Sequence, residues 1–254
     1  MFSLTNYPIV LFLVSFAILW LSAWVGVRMG QRRTLKDGTR ADFGVIQGAT
    51  LTLLGLILGF SFSMAISRYD LRKNLEEEEA NAIGTEYLRA DLLPAADAAR
   101  VKELLKNYAG ERIAFYTTRD LEEYRQIALR TAKLQGELWS AVQVPAVAQP
   151  TPLSALAAAG MNDVLNSQGY SQAAWWNRIP VTAWSLMVII AICCNILIGY
   201  GARDAKAERM LLMVLPLVVS ITFMLIADID SPRGGLIRVH PQNLESFLDS
   251  LRPQ

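Results

Sequence analysis

Residues that carry chemistry are scarce in this chain of 254 residues. It has one histidine, His240, and two cysteines, Cys193 and Cys194, which are adjacent and so lack the CxxC spacing of metal or redox motifs. His240 lies in the C-terminal tail, where a surface role explains it better than a ligand or base. No serine triad, P-loop or dinucleotide-binding pattern is present. The sequence therefore predicts no catalytic residue, no bound metal and no enzyme.

Charge of either sign is nearly balanced, with 24 Lys+Arg against 23 Asp+Glu and a formal net charge of +1. A chain of this kind has no overall basic field with which to bind nucleic acid. Charge is also absent from the interior of each long apolar stretch. Proton relays and ion-coupled pumps normally need an intramembrane charge, so this absence argues against a proton-driven transporter.

Apolar residues make up 53% of the chain and are concentrated in four stretches. These stretches are about Tyr7–Val27, Phe43–Ile66, Pro180–Tyr200 and Met210–Ala227. A bilayer core of about 30 Å needs roughly 20 apolar residues as helix, so each stretch can cross it. The first is too long for a cleavable signal peptide and lacks a basic n-region. We predict a multi-pass protein whose partner is the lipid bilayer.

Between the second and third spans lies a polar segment with helical periodicity and no convincing strand pattern. We predict an all-α fold with four segments. They are spans one and two (residues 1–66), a helical soluble domain that continues the second span (67–179), spans three and four (180–230) and a C-terminal tail (231–254). The prolines within residues 144–152 predict a loop inside the soluble domain.

Small residues line one face of the second span: Gly48, Gly55, Gly59 and Ser63. A lipid-facing anchor has no need of such a face, whereas close helix packing does, because small side chains let backbones approach. We therefore predict that these four residues pack helices together at the centre of an oligomer.

Charged residues follow the second span without a helix breaker: Arg68, Arg72, Glu76, Glu77, Glu78 and Glu79. One interpretation is a solvated helix surface with pairs at i,i+4 spacing. The other is a ring of charges around the mouth of an axis, whose negative field would attract cations such as calcium. The sequence leaves both interpretations open.

Two acids, Asp228 and Asp230, stand at the end of the fourth span. With four spans, the exits of spans two and four lie on the same side, so these acids can pair with Arg68 and Arg72. Simple interfacial capping is one alternative, and an ion site for calcium or a lipid headgroup is another.

Two segments carry a family resemblance: EEEANAIGT at residues 77–85 and DIDSPRGGLI at residues 228–237. Together they resemble the uncharacterised bacterial family named the bestrophin-like domain, over most of the chain. Leu58-Gly59-Phe60, followed after seven residues by Arg68, is also similar to the second transmembrane helix of bestrophins. Bestrophins are pentameric, chloride-selective channels with four spans per subunit and a helical cytosolic domain.

This resemblance implies that Thr52, Leu56 and Phe60 form the neck of a pore. Their spacing of four residues places them on one helix face, and a ring of Leu56 and Phe60 would gate by dewetting. Anion preference would then come from helix dipoles, backbone groups and Arg68 or Arg72 near the mouth. Packing against lipid or within the bundle is the other interpretation of Leu56 and Phe60.

The chain also departs from bestrophins. Tyr69 and Asp70 stand where bestrophins carry two tryptophans, and the acidic cluster after the fourth span is reduced to Asp228 and Asp230. Both departures weaken the case for calcium as a gating cofactor. The sequence does not decide which side of the membrane holds the soluble domain. The loops between spans one and two and between spans three and four carry eight Lys+Arg, and the opposite side carries about six near the span ends.

The resemblance therefore implies an oligomeric channel for small anions such as chloride, pentameric like the bestrophins, in a bacterial inner membrane. Its pore would be lined by the second helix. Two alternatives stand beside it: a membrane-anchored scaffold or sensor without a permeation path, and a cation channel focused by the Glu76–Glu79 ring. The sequence does not define the gating stimulus, the subunit number or the physiological role.

Overall fold

A computed structural model of the chain describes residues 4–31, 37–202 and 210–252, and over these residues it contains helices and no strand. The helices are α1 (Pro8–Gln31), α2 (Asp37–Arg89), α3 (Ala95–Thr117), α4 (Leu121–Ala148), α5 (Pro152–Trp176), α6 (Val181–Gly201), α7 (Leu211–Asp230) and α8 (Gln242–Ser250). Short 3-10 helices span Leu4–Asn6 and Ala90–Leu92. Six of the basic loop residues counted above lie outside the described residues: Arg32, Arg33, Lys36, Arg203, Lys206 and Arg209. The predicted all-α fold is confirmed.

Four helical stretches of the described chain are long and apolar enough to cross a membrane. They are Pro8–Gln31, Arg40–Leu92, Pro152–Gly201 and Leu211–Asp230, and they overlap the four predicted spans. Helix α2 runs without a break for 53 residues, as the sequence predicts, because neither a proline nor a positive-φ residue interrupts it before Pro94.

Local signals define the helix ends between spans two and three. Asp120 caps α4, accepting hydrogen bonds from the backbone N–H groups of Glu122 and Glu123 at 2.7 and 3.4 Å. A capping box between Thr151 and Ser154 begins α5. The predicted loop at residues 144–152 is wrong in its first half, since α4 continues through Pro145 to Ala148. Pro145 is buried and removes only one hydrogen bond within the helix, which the packing tolerates.

The chain forms two compact units. The membrane unit comprises Met1–Arg68 and Arg178–Arg238, and the helical unit comprises Tyr69–Asn177 and Val239–Gln254. Of the tail predicted at residues 231–254, residues 231–238 belong to the membrane unit and the remainder to the helical unit.

Close helix contact inside the membrane unit is made by α1 and α6. A Cβ atom at Gly26 would overlap the carbonyl of Ile196, and one at Gly199 would overlap the carbonyl of Ala23. A Cβ at Gly30 would lie 2.5 Å from the carbonyl oxygen of Tyr200. Only glycine allows the two backbones to approach this closely. This contact is not visible in the sequence, because its glycines lie on two different spans.

The helical unit is built around an aromatic core. Phe115 and Tyr116 of α3 pack against Trp175 of α5, with ring centroids 4.7 and 5.5 Å apart. Tyr124 of α4 packs against Phe115 with the ring planes tilted and the centroids 5.9 Å apart. These rings join α3, α4 and α5 and supply the apolar burial that the individually polar helices lack.

The α1–α6 contact predicts a strong effect of Gly199→Ala. The added Cβ has no space between the two backbones, so the free energy of unfolding should fall by about 1–3 kcal/mol or more. The matched control is Gly44→Ala, where a Cβ meets no described atom within 4 Å and alanine is the better helix former. Thermal unfolding in detergent measures both variants, and equal melting temperatures would contradict the prediction.

Candidate functional site

Helix α2 buries one face within the membrane unit. Leu54, Leu58, Ser61 and Ala65 form this face and are 0–9% exposed. At about 100° per residue, this face is opposite the side that carries Thr52, Leu56 and Phe60. The described part of the chain therefore covers one side of the second span and leaves the other uncovered.

The three predicted neck residues lie together on the uncovered face. Leu56 is 53% exposed and Phe60 is 64% exposed. The hydroxyl of Thr52 is exposed too and donates a hydrogen bond to the carbonyl of Gly48 at 2.9 Å, so it is satisfied within its own helix. An assembly that covered this face would surround it with two large apolar side chains and one hydroxyl.

Next to these residues lie the small residues predicted to pack helices. A Cβ atom added at Gly48, Gly55 or Gly59 would meet no described atom within 4 Å outside its own helix turn, and Ser63 is exposed. These residues therefore do not pack against another helix of the same described chain. If these residues pack against a helix, as predicted, that helix must lie outside the described part of the chain.

Beyond the membrane span, α2 buries a charged stripe. Arg72, Glu76, Glu79, Ile83 and Glu86, spaced by three or four residues, are each at most 1% exposed. Glu77 and Glu78 are exposed. The predicted ring of four glutamates is therefore wrong for Glu76 and Glu79, whose side chains point into the helical unit of their own chain.

Glu76 holds the C-terminal helix α8. Its Oε1 accepts hydrogen bonds from the backbone N–H groups of Asn243 and Leu244, both at 3.1 Å. Its Oε2 accepts a third from Nδ2 of Asn243 at 2.7 Å. A carboxylate at this position satisfies the free N–H groups of a helix N-terminus and interacts favourably with the helix dipole.

Glu79 lies at the centre of a buried polar network. It accepts hydrogen bonds from Arg112 Nε at 2.5 Å and from the hydroxyls of Tyr116 and Ser171, each at 3.1 Å. The Arg112 guanidinium stacks over Phe115, with 4.2 Å from Cζ to the ring centroid. Burial raises the pKa of Tyr116, and the charge of Glu79 raises it further, so Tyr116 remains a neutral donor.

Asp230 forms the predicted ion pair with Arg68, at 4.0 Å between Nη1 and Oδ1. A second cation, Arg178, lies 3.6 Å from Oδ2, and the backbone N–H of Ile179 donates to both oxygens at 3.2 Å. Arg178 is not among the partners that the sequence predicts for Asp230. Arg178 also donates to Oδ1 of Asn6 at 2.5 Å, which joins the N-terminal segment to the start of span three.

Asp228 has a different role from Asp230. Its two carboxylate oxygens accept hydrogen bonds from the backbone N–H groups of Leu236 and Ile237, both at 2.8 Å. The carboxylate thereby closes the turn that follows α7. Gly235 belongs to this turn, and a Cβ there would overlap the carbonyl of Asp228.

Calcium does not fit these two aspartates. The ion takes six to eight oxygen ligands, whereas the oxygens of Asp228 and Asp230 face N–H donors and two guanidinium groups. Over the described part of the chain, no group of three or more His, Cys, Asp or Glu side chains is placed to hold a metal ion. The predicted salt bridge at Asp230 is present. The carboxylate oxygens that would bind calcium in the other interpretation are engaged by N–H donors and guanidinium groups.

Four apolar helical stretches, with a second helix that extends into a polar helical unit, define a multi-span α-helical membrane protein. The chain belongs to the Bestrophin-like domain family, whose model matches residues 12–244. The resemblance drawn from residues 77–85 and 228–237 is thereby confirmed. Membership of this family also agrees with the prediction that the chain is not an enzyme.

Solved structures of a bestrophin homologue from Klebsiella pneumoniae share the fold. A tryptophan-to-alanine variant is 13% identical with a TM-score of 0.61, and the match covers 94% of this chain and 93% of that one. A tyrosine-to-alanine variant is 14% identical with a TM-score of 0.58, covering 93% and 98%. A further structure of the homologue is 14% identical with a TM-score of 0.61, covering 94% of each chain. No curated protein matches the chain by sequence.

The network around Glu79 predicts a large effect of Arg112→Met. This change leaves the ionised Glu79 buried without its cation, so the free energy of unfolding should fall by about 3–5 kcal/mol. The control is Arg125→Met, which breaks the exposed pair with Glu122 and should cost about 1 kcal/mol or less. Denaturation of the purified protein measures both, and similar losses would contradict the assigned role of Arg112.

Proposed function

We propose that this protein is an oligomeric ion channel selective for anions such as chloride, with α2 lining its pore. Membership of the Bestrophin-like family and the shared fold support a channel over other membrane functions. The observation that carries the proposal is the uncovered face of α2, where Thr52, Leu56 and Phe60 are exposed side by side. We also propose a bacterial inner membrane as its location, which the resemblance to bestrophin homologues supports.

The glycine face supports an assembly of identical chains. Gly48, Gly55 and Gly59 lie beside the candidate neck, and the described chain places nothing against them. In a bilayer, helices associate by close packing of small residues rather than by hydrophobic driving force, so such a face favours a neighbouring helix over lipid. In a ring of subunits, this face would contact the neighbour while the adjacent face turned toward the axis. We propose five subunits in this ring, a number taken from the resemblance to bestrophins.

The neck side chains suit an apolar gate. A ring of Leu56 and Phe60 side chains would exclude water when narrow and allow ions to pass when widened. Phenylalanine rings also present a positive edge, which favours an anion over a cation at close range. No charged residue lies within the apolar part of α2 to oppose this preference.

Charges near the end of the span contribute less than the sequence indicated. Arg72 is 1% exposed, and the side chain of Arg68 is 16% exposed and faces Asp230. We therefore ascribe anion preference mainly to the neck and to backbone dipoles, with Arg68 in a secondary role.

The alternatives become outcomes of one experiment. A cation channel would have to rely on Glu77 and Glu78, since Glu76 and Glu79 are engaged inside the helical unit. A scaffold or sensor would conduct nothing. Current from purified protein in liposomes is measured twice, first under a chloride gradient with an impermeant cation and then under a potassium gradient with an impermeant anion. Current in the first condition supports the proposal, and current only in the second, or in neither, would contradict it.

Alanine at both Leu56 and Phe60 should raise the chloride conductance several-fold, because it widens the constriction and weakens dewetting. The matched control replaces Leu186 and Ile189 of α6 with alanine, since they are 50% and 58% exposed and lie outside the neck. Single-channel recording in the same liposomes compares the two variants with the parent. Equal conductance in all three proteins would remove the neck assignment.

A further inference from the structure

Glu86 is the third carboxylate of the buried stripe on α2. It is fully buried, with 0% of its surface exposed. Neither carboxylate oxygen accepts a hydrogen bond from any residue that the structure describes. Glu76 and Glu79, about three and two turns earlier on the same helix, each accept three or more. Glu86 therefore lies in the same kind of interior without the donors that an ionised carboxylate requires.

Helices α2 and α5 meet closely at this carboxyl group. A Cβ atom at Gly160 of α5 would overlap Oε2 of Glu86 and would lie 2.5 Å from Nη1 of Arg89. Glycine at position 160 thus allows the carboxyl group to sit directly on the α5 backbone. A cavity of about 250 Å³ adjoins the contact, lined by Asn81, Ala82, Thr85, Arg89, Gly160 and Asp163.

Two charged groups face Glu86 from the packed helices. Arg89 lies one turn later on α2, and Asp163 lies one turn beyond Gly160 on α5. Arg89 is itself 3.9 Å from Asp163, so its positive charge is shared with that carboxylate. Burial raises the pKa of Glu86 to about 8, Arg89 lowers it and Asp163 raises it. The balance of these groups keeps the side chain protonated at neutral pH.

We propose that Glu86 is a proton-binding site that holds the α2–α5 contact at neutral pH and loosens it when the proton leaves. The neutral acid fits against Gly160 without a counter-charge. The anion would need water from the adjoining cavity at the contact with Gly160, or a movement of Arg89 toward it. That movement would break the ion pair between Arg89 and Asp163, which joins the two helices. This inference concerns the helical unit alone and stands whether or not the protein conducts ions.

The proposal fixes the sign of a pH dependence. Below pH 4.5, the ordinary pKa of a glutamate, both the folded and the unfolded chain hold the proton. Between pH 4.5 and about 8, the unfolded chain releases it and the folded chain keeps it. Stability contributed at this site therefore falls as pH rises through that window and becomes constant above it.

Infrared spectroscopy of the full-length protein tests the proton directly. In the parent and in Glu78→Gln, we expect the carbonyl stretch of a protonated carboxylic acid at pH 7, and half of its intensity should be lost at about pH 8. In Glu86→Gln this band should be absent. Glu78 is an exposed glutamate on the same helix and controls for loss of charge. A Glu86→Gln protein that retained the band would overturn the proposal. If that variant did not fold, carboxyl-labelled glutamate in the parent would decide, and no protonated glutamate at pH 7 would overturn it.

Hydrogen exchange tests the helix contact. Raising the pH from 7 to 9 should increase exchange around residues 82–89 and 157–164 in the parent by several-fold more than in Glu86→Gln, which has no proton to lose. The variant thereby corrects for the intrinsic pH dependence of exchange. Equal acceleration in the two proteins would show that the contact does not respond to this site.

Discussion

Buried carboxylates on one face of α2 are the constraint that organises the helical unit. An ionised carboxylate cannot stay in an apolar interior without donors, so each one dictates what lies opposite it. Glu76 is matched by the N-terminus of α8, and Glu79 by Arg112, Tyr116 and Ser171 from α3 and α5. Glu86 has no donor among the described residues, and its proposed protonation is what lets it stay buried there. One helix face therefore explains why α3, α5 and α8 pack where they do.

In the membrane unit the same helix follows a different rule. Its apolar half buries Leu54, Leu58, Ser61 and Ala65 against its own chain and leaves the opposite side uncovered. The glycines of α1 and α6 contact other helices of the same chain, whereas Gly48, Gly55 and Gly59 of α2 contact no other described helix. Small residues thus serve two purposes in one protein. On α1 and α6 they close the unit, and on α2 they provide a surface that only a further chain or lipid can cover.

The sequence predicts the fold well because hydropathy and helix breakers are local signals. Four apolar stretches and the absence of a breaker before Pro94 lead directly to the spans and to the long α2. The candidate site is less predictable, because a run such as Glu76–Glu79 looks alike whether it is solvated or half buried. The partners that decide the matter lie far along the chain, 33 residues away for Arg112 and 167 for Asn243. Arg178 is not predictable as a partner of Asp230 either, because the two residues are far apart along the chain.

Cysteine cross-linking tests most directly whether the uncovered face of α2 meets identical chains around an axis. The experiment starts from a background in which Cys193 and Cys194 are alanine, and it compares Phe60→Cys with Leu54→Cys on the buried face. On oxidation in the membrane, the account predicts covalent dimers for Phe60→Cys and monomers for Leu54→Cys. Monomers for both variants would contradict it, because a pore lined by α2 must bring the residues at position 60 of neighbouring subunits together.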